Sequence, residues 1–457
     1  MTWPGHPGSL PRRTGHGRSS SPEGQGWSGR GAGAGGACQD RTVTTAVDTG
    51  IDLADLAFWR RPPSERERDF ARLRGLPHPV FFPERRVPLL RSGKGFHALV
   101  KHADVVEASR NAKVFSSEPA VTNPEPPGWV KHVFGDSMVN LDDPRHARLR
   151  RIVSRAFSPK MLSNLNDDIA AAAERIVDDV VKEGPRDFVS QVAARLPIHV
   201  ICDMMGIPPG IRAKVHEHVD VSTAYTGVRM SLPRTVAMAG RNMAALFALQ
   251  RMVIALGRER ERDPGGDLVS ALVTANVDGE RLTPKELGSF FTLLLVAGNE
   301  TARNTMAHGL KLLTDNPGER ERLVDDFDGH IAGAIEETVR YVSPIMQFRR
   351  TVTEEYEMRG VRLAPGDKVV LFYGSANRDE EVFDAPGRYD ITRKPNPHVG
   401  FGGPGPHFCL GANLARQEIK IMYRELFTRL PGIRATGEPE LLLSNFDNSV
   451  TAQPFTF

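Results

Sequence analysis

The chain has 457 residues and a formal net charge of +3, from 59 basic and 56 acidic side chains. That length allows a large buried core, and so balanced a charge gives no electrostatic reason to expect a nucleic acid or an acidic membrane as partner. The three cysteines, Cys38, Cys202 and Cys409, are too widely spaced for a disulfide framework or a zinc motif.

Eleven of the 43 glycines fall in the first 36 residues, among Arg, Ser and Pro and almost no aliphatics. Such a segment cannot bury enough apolar surface to order itself. A disordered Gly/Ser/Pro/Arg-rich tail is therefore expected over 1–48, and one folded domain over 49–457. No apolar run reaches the roughly 18 residues of a membrane helix, and the N-terminus has no signal-like apolar region. The expectation is a cytoplasmic protein without a membrane anchor.

The fold begins near Ile51. Short β-like runs follow at Val80–Phe82 and Phe96–Val100. From Leu141 to about Leu313 the pattern is mainly helical, punctuated at Pro208-Pro209, Pro233 and Asp263-Pro-Gly-Gly266. Asp142-Asp-Pro144 starts one helix, and His146 and Arg150 lie one turn apart on it.

Thr283-Pro284-Lys285-Glu286 is a second, stronger helix start, with an N-cap Thr, Pro at the first helical position and Glu at the third. A helix from there to about Thr314 spans roughly 45 Å. Its apolar centre is broken by Gly298-Asn299-Glu300-Thr301. Close packing at Gly298 and a solvent-facing Glu300 account for this blandly. The functional alternative is an acid beside an alcohol that relays protons while bulk water is kept away. Thr301 can also bond the Ala297 carbonyl and loosen the helix there.

Glu337 and Arg340 share a helix face at i, i+3. After Ser343-Pro344 the period becomes strand-like, at Phe348–Val352 and Val369–Tyr373, with a turn at Gly360. Phe401-Gly-Gly-Pro-Gly-Pro-His-Phe-Cys409-Leu-Gly then delivers a cysteine to the first turn of an amphipathic helix burying Ala415, Ile419, Met422, Leu426 and Leu430. Pro431-Gly432 ends that helix. A bare cysteine is usually inert core. Here glycines allow close backbone approach, and a helix N-terminus favours the thiolate.

The cysteine loop resembles the haem-ligand signature of the cytochromes P-450. Ala297-Gly-Asn-Glu-Thr301 resembles the family's oxygen-activation motif, and Glu337-Thr-Val-Arg340 its Glu-x-x-Arg, in family order over about 51–457. The family's aromatic lies seven residues before the cysteine. Here Gly402 takes that place and Phe401 lies eight before, an extra glycine shared with actinobacterial sterol and methyl-branched-lipid hydroxylases.

The resemblance implies a mainly α fold with a minor β part, a triangular helix-rich prism whose long central helix crosses haem b. It implies Cys409 as axial thiolate, with Phe401, Gly411 and Ala297 beside the haem. His146, Arg150, Arg350 and His407 would hold the propionates, and Arg349 and His398 are further candidates. Glu300 and Thr301 would form the proton relay, and Glu337 and Arg340 a structural brace. Pocket walls would come from Ala120–Trp129, Tyr225–Met243, Val296, Ile345, Met346 and Phe446.

The implied activity is a monooxygenase that inserts one atom of O2 into a C–H bond of a hydrophobic substrate, a sterol side chain or a methyl-branched or fatty lipid. The alternatives are a terpenoid or secondary-metabolite hydroxylase and a non-catalytic haem-binding protein. No nucleotide-binding glycine motif follows a strand, so a separate ferredoxin and its reductase would supply electrons. Arg416, Lys420, Arg424 and Arg151 form the expected docking face.

Overall fold

The computed structural model describes residues 49–84, 94–123, 125, 137–157, 165–223, 232–276 and 279–457. The tail expected over 1–48 lies outside these residues, as do parts of the two wall segments 120–129 and 225–243.

The helices are α1 (Leu56–Trp59), α2 (Pro63–Arg74), α3 (His102–Arg110), α4 (Arg145–Ala156), α5 (Asn166–Glu183), α6 (Arg195–Met204) and α7 (Pro209–Thr223). They continue as α8 (Leu232–Arg260), α9 (Leu268–Thr274), α10 (Pro284–Asp315), α11 (Pro317–Asp325), α12 (Phe327–Val342), α13 (Tyr373–Ala376) and α14 (Ala412–Arg429). The main strands are β1 (Val80–Phe82), β2 (Phe96–Leu99), β3 (Phe115–Ser116), β4 (Gln347–Val352), β5 (Tyr356–Met358), β6 (Val361–Leu363) and β7 (Lys368–Phe372).

Five strands form one sheet in the order β1-β2-β7-β4-β3. The central β7 runs parallel to β2 and antiparallel to β4, with Arg350 opposite Val369. Its side chains alternate between two cores. Val369 and Leu371 pack with Val105 and Phe115, while Val370 and Phe372 pack with Trp59 and Phe70. Burial of both faces is why this strand reads as an unbroken apolar run.

The helical layer forms around α10, which packs on α6, α8, α12 and α14. Its start is the expected capping box: Thr283 Oγ1 accepts from the Glu286 N–H at 3.2 Å, and Glu286 Oε2 accepts from the Thr283 N–H at 2.8 Å. Gly298 lets α6 approach, since a β-carbon there would lie 2.9 Å from Ile201 Cδ1. The bland account of Gly298 therefore holds. That of Glu300 does not, because its side chain is buried rather than solvent-facing.

The small helix α3 is fastened at its start to the loop after α13. The His102 N–H donates to Asp379 Oδ2 at 2.8 Å, and His102 Nε2 lies 2.8 Å from the Pro397 carbonyl.

Candidate active site

The cysteine loop folds back on itself. The Cys409 N–H donates to the Phe401 carbonyl at 2.9 Å, and the Gly402 N–H to the Val399 carbonyl at 2.8 Å. Gly402 takes φ of +74°, a conformation in which a β-carbon is disfavoured. The extra glycine thus has a conformational reason. Three residues on, a β-carbon on Gly405 would fall 2.2 Å from the Ser109 carbonyl oxygen, so the loop sits directly on the end of α3.

Cys409 keeps accessible surface, yet protein crowds it closely enough that burial raises its thiol pKa, against the Gly411 N–H, Arg150 and Arg416. The start of α14 does not by itself make a thiolate, contrary to the simplest reading of the sequence. A coordinated metal ion would, because it deprotonates its thiol ligand.

Four cationic or imidazole side chains gather beside this loop from three elements. His146 and Arg150 stand on α4, Arg350 on β4 and His407 on the loop itself. The His146 and His407 rings are 4.1 Å apart. Arg150 Nη2 donates to the Phe408 carbonyl at 2.7 Å, and His407 Nε2 lies 3.0 Å from Ser117 Oγ. Burial first, then Arg350, His146 and Arg150, push the His407 pKa down to about 3.

Arg350 is buried and donates to the Arg349 carbonyl at 2.9 Å, with no ion-pair partner among the described residues. His146 Nε2 and the buried Tyr373 hydroxyl have no hydrogen-bond partner among the described residues. Buried cations and orphaned polar atoms in one place are costly unless an anion joins them. A group with two carboxylates and a metal near Cys409 fits, and haem is such a group.

The other propionate candidates are committed elsewhere. Arg349 pairs with Glu125 at 3.0 Å and bonds Thr351 at 3.1 Å, and His398 bonds Glu336 at 2.9 Å.

On α10, Ala297 is exposed while Val296, Gly298 and Thr301 are half-buried, in the middle of a helix whose neighbouring Asn299 and Glu300 are buried. Thr301 Oγ1 donates to the Ala297 carbonyl at 2.8 Å, as expected. The Glu300 carboxylate is held by Arg303, one turn on. Arg303 also lowers the pKa of Asp220 on α7, which burial raises overall.

Glu337 and Arg340 form a fully buried two-point ion pair, with both N···O distances 2.7 Å. Arg340 donates onward to the carbonyls of Asn377 and Pro386 at 2.8 and 3.0 Å. Arg393, missed in the sequence, donates to both Glu337 oxygens at 3.1 and 3.2 Å. No spacing signal links it to Glu337. Its neighbourhood, a turn-rich stretch after Tyr389, was the only cue.

Three pocket candidates meet. The Met346 N–H donates to the Phe446 carbonyl at 2.8 Å, Ile345 bridges Asp447, and the Phe446 ring lies 5.7 Å from Phe348. Val296 shares no backbone hydrogen bond or β-bridge with them among the described residues. Phe401 supports the loop under Arg416, whose guanidinium stacks on it at 4.4 Å.

The residues of the expected docking face have acidic neighbours. Arg416 makes a two-point pair with Glu336 at 2.6 and 3.0 Å, Arg424 and Lys420 share Asp328, and Arg151 reaches Glu280 at 3.5 Å. Four cations thus meet three carboxylates there.

Comparison with known proteins gives the lineage. Residues 232–430 match the cytochrome P-450 family model. A methyl-branched lipid omega-hydroxylase of Mycobacterium tuberculosis is 43% identical over 411 residues, 89% of this chain and 95% of the relative. The chain belongs to the cytochrome P-450 family. A steroid C26-monooxygenase of Rhodococcus jostii is 37% identical over 78% of this chain and 74% of its own. A cytochrome P-450 of Mycobacterium marinum, solved with pseudoionone, superposes with a TM-score of 0.83 at 40% identity, covering 89% of this chain and 98% of that one. A Bacillus megaterium cytochrome P-450 solved with corticosterone gives 0.71 at 32% identity, covering 79% and 92%.

The expected mainly α fold with a minor sheet is therefore the cytochrome P-450 fold, and the protein is an oxygen-incorporating oxidoreductase. The family carries haem on a cysteine thiolate. No helix among the described residues is long and apolar enough to cross a membrane.

Proposed function

We propose that this cytochrome P-450 hydroxylates a methyl-branched fatty lipid or a sterol side chain near its far end, with haem b held by Cys409. The observation that carries the cofactor assignment is the cluster of His146, Arg150, Arg350 and His407 beside an accessible Cys409, with Arg350 lacking a carboxylate partner among the described residues. The substrate class rests on the relatives, whose names give methyl-branched lipids and steroids. A terpenoid substrate is the second reading, favoured by the pseudoionone in the M. marinum relative.

When bound, haem supplies the redox-active iron at which dioxygen is reduced. The chain's own groups do the rest. Arg350 and Arg150 would neutralise the propionates, and His146 and His407 would help orient them by hydrogen bonds. Thr301 gives its proton to the Ala297 carbonyl and so presents oxygen lone pairs to any donor opposite. Glu300 carries protons toward Thr301 once its carboxylate lets go of Arg303. The apolar walls keep water out, which limits side reactions.

The reduced protein with carbon monoxide is expected to show the strongly red-shifted Soret band of thiolate ligation, and Cys409→Ala to lose it. A wild-type band typical of histidine-ligated haem would falsify the ligand assignment.

Electrons come from a ferredoxin and its reductase. A docking surface beside that of Arg416, Lys420, Arg424 and Arg151 is formed by the exposed Phe408, Arg110 and Arg155. They border the groove that α4 shares with Gly405 and Pro406. Neither arginine has an acidic partner among the described residues. Arg110→Glu with Arg155→Glu is expected to slow the first electron transfer about tenfold at low salt and leave substrate affinity intact. Unchanged stopped-flow reduction rates would remove this surface from consideration.

A further inference from the structure

Helix α2 and the turn before it carry several arginines, and Arg61, Arg72 and Arg74 each have a carboxylate. Arg61 pairs with Glu65 and Asp69, Arg72 with Asp69, and Arg74 with Glu67 and Glu380. Arg66 does not. Its Nε is buried without a hydrogen-bond partner among the described residues. Its Nη1 rests 4.0 Å from Met346 Sδ, a weak acceptor, and its guanidinium lies 5.7 Å from the Trp59 ring centroid. Among the described residues no carboxylate comes within ion-pair distance of it. Burial lowers its pKa, with no acid opposing the shift. A half-buried guanidinium of this kind lacks a planar two-oxygen acceptor, its best partner.

The place of this cation gives it meaning. Met346 donates its N–H to Phe446, Phe446 packs on Phe348, and Arg350 lies 5.9 Å from the Phe348 ring centroid. A chain of neighbouring residues, Met346, Phe446 and Phe348, thus connects Arg66 with the cation cluster beside Cys409. Met346 and Arg350 are four residues apart on nearly extended chain, on the order of 13 Å. The two positive sites are therefore well separated, with apolar side chains between them.

We propose that Arg66 is an anion subsite at the end of the substrate pocket walled by Met346 and Phe446, and that it takes the carboxylate of a methyl-branched fatty acid. The acid end is held there, the chain lies along Phe446 and Phe348, and the far methyl end is the part delivered to the haem. This rests on the monooxygenase reading above and sharpens it, because a sterol has no carboxylate for Arg66 and a free branched acid has one.

The test uses the full-length holoenzyme and equilibrium binding, followed by the substrate-induced spin shift and independently by calorimetry. The probes are a methyl-branched long-chain fatty acid and its methyl ester, which differ only in head-group charge. The wild type is expected to bind the acid at least tenfold more tightly than the ester. Arg66→Met should bring the acid down to the ester's affinity and leave the ester within about twofold, while Arg66→Lys should keep part of the preference.

Equal wild-type affinity for acid and ester, no binding of either, or equal weakening of both by Arg66→Met and Arg66→Lys would each overturn the proposal. The last outcome would mean that Arg66 only supports Trp59 and Met346. The carbon monoxide band and hydroxylation of the ester report on the monooxygenase reading separately, so either idea can fail without the other.

Discussion

Thr301 has two tasks that compete for one hydroxyl. Its proton is already given to the Ala297 carbonyl at 2.8 Å, a back-bond that weakens the helix locally. What remains toward the reaction is acceptor capacity. Thr301→Ala removes that capacity but little volume. Substrate affinity is expected to change by less than about threefold, while the fraction of NADPH electrons found in product falls about tenfold or more and peroxide rises. Normal coupling in this variant would take Thr301 out of the relay.

Residue identity was legible at this scale wherever chemistry and spacing coincide locally. Glu300-Thr301 and Cys409 could be read because their neighbours in sequence are also their neighbours in space. The Arg303 clamp sits only three residues from Glu300, yet an i, i+3 acid–base spacing on a helix is too common to single it out. The electrostatic link from Arg303 to Asp220 on α7 joins positions eighty residues apart, and no local pattern carries it.

Among elements, α12 shows how a helix can hold a loop. Glu337 on its buried face accepts from Arg340, Arg393, the Asp390 N–H at 3.0 Å and Asn396 Nδ2 at 3.2 Å. One carboxylate thus gathers 390–396 onto the helix. Glu337→Gln keeps the shape and removes the charge, leaving two arginines without an anion. Breaking a buried pair in this way costs about 3–5 kcal/mol. Chemical denaturation of the holoenzyme is expected to show that loss, together with faster haem release.

The long helix α10 was readable from its capping box and length. The acidic neighbours of the expected docking face were not legible at this same scale. Arg416, Lys420 and Arg424 do share one side of α14, but α12 brings Glu336 and α12's first turn brings Asp328 against them. The short strands near the C-terminus escaped because pieces such as Arg434–Ala435 and Phe455–Thr456 are too brief to show an alternating pattern.

For the whole molecule, buried titratable groups set the pH range of stability. Burial holds Glu418 on α14 up at about 8, against 4.5 for a free glutamate. The folded state keeps this proton where the unfolded chain has lost it, so stability falls as pH rises from about 4.5 to 8. Two groups act in the opposite sense. Burial puts His308 down at about 4, so stability is lost as pH falls below its ordinary 6.5. Burial raises the Glu336 pKa, but His398 and Arg416 overcome it and bring it to about 2. Its contribution is present above 4.5 and lost toward 2.

Glu418→Gln is expected to raise the melting temperature at pH 8 by several degrees, to change it little at pH 4.5, and to flatten the alkaline limb. The same melting temperature as wild type at pH 8 would show that Glu418 is not neutral in the folded protein. None of this was legible in the sequence, where Glu418 reads as one more charge on an amphipathic helix.

The fastening of α3 has a consequence for what the chain can tolerate. One end of this helix is tied to Asp379 and Pro397, and the other is pressed by Gly405, four residues before Cys409. It works as a spacer of fixed length between two parts of the haem-side scaffold. Inserting a single residue would lengthen it by about 1.5 Å and turn its far end through roughly 100°. Ser109 would then leave Gly405, and the loop would lose its seat. Exposed side chains of α3 outside the docking surface can therefore vary more readily than its residue count: a one-residue insertion or deletion there should be as damaging as one beside Cys409 itself.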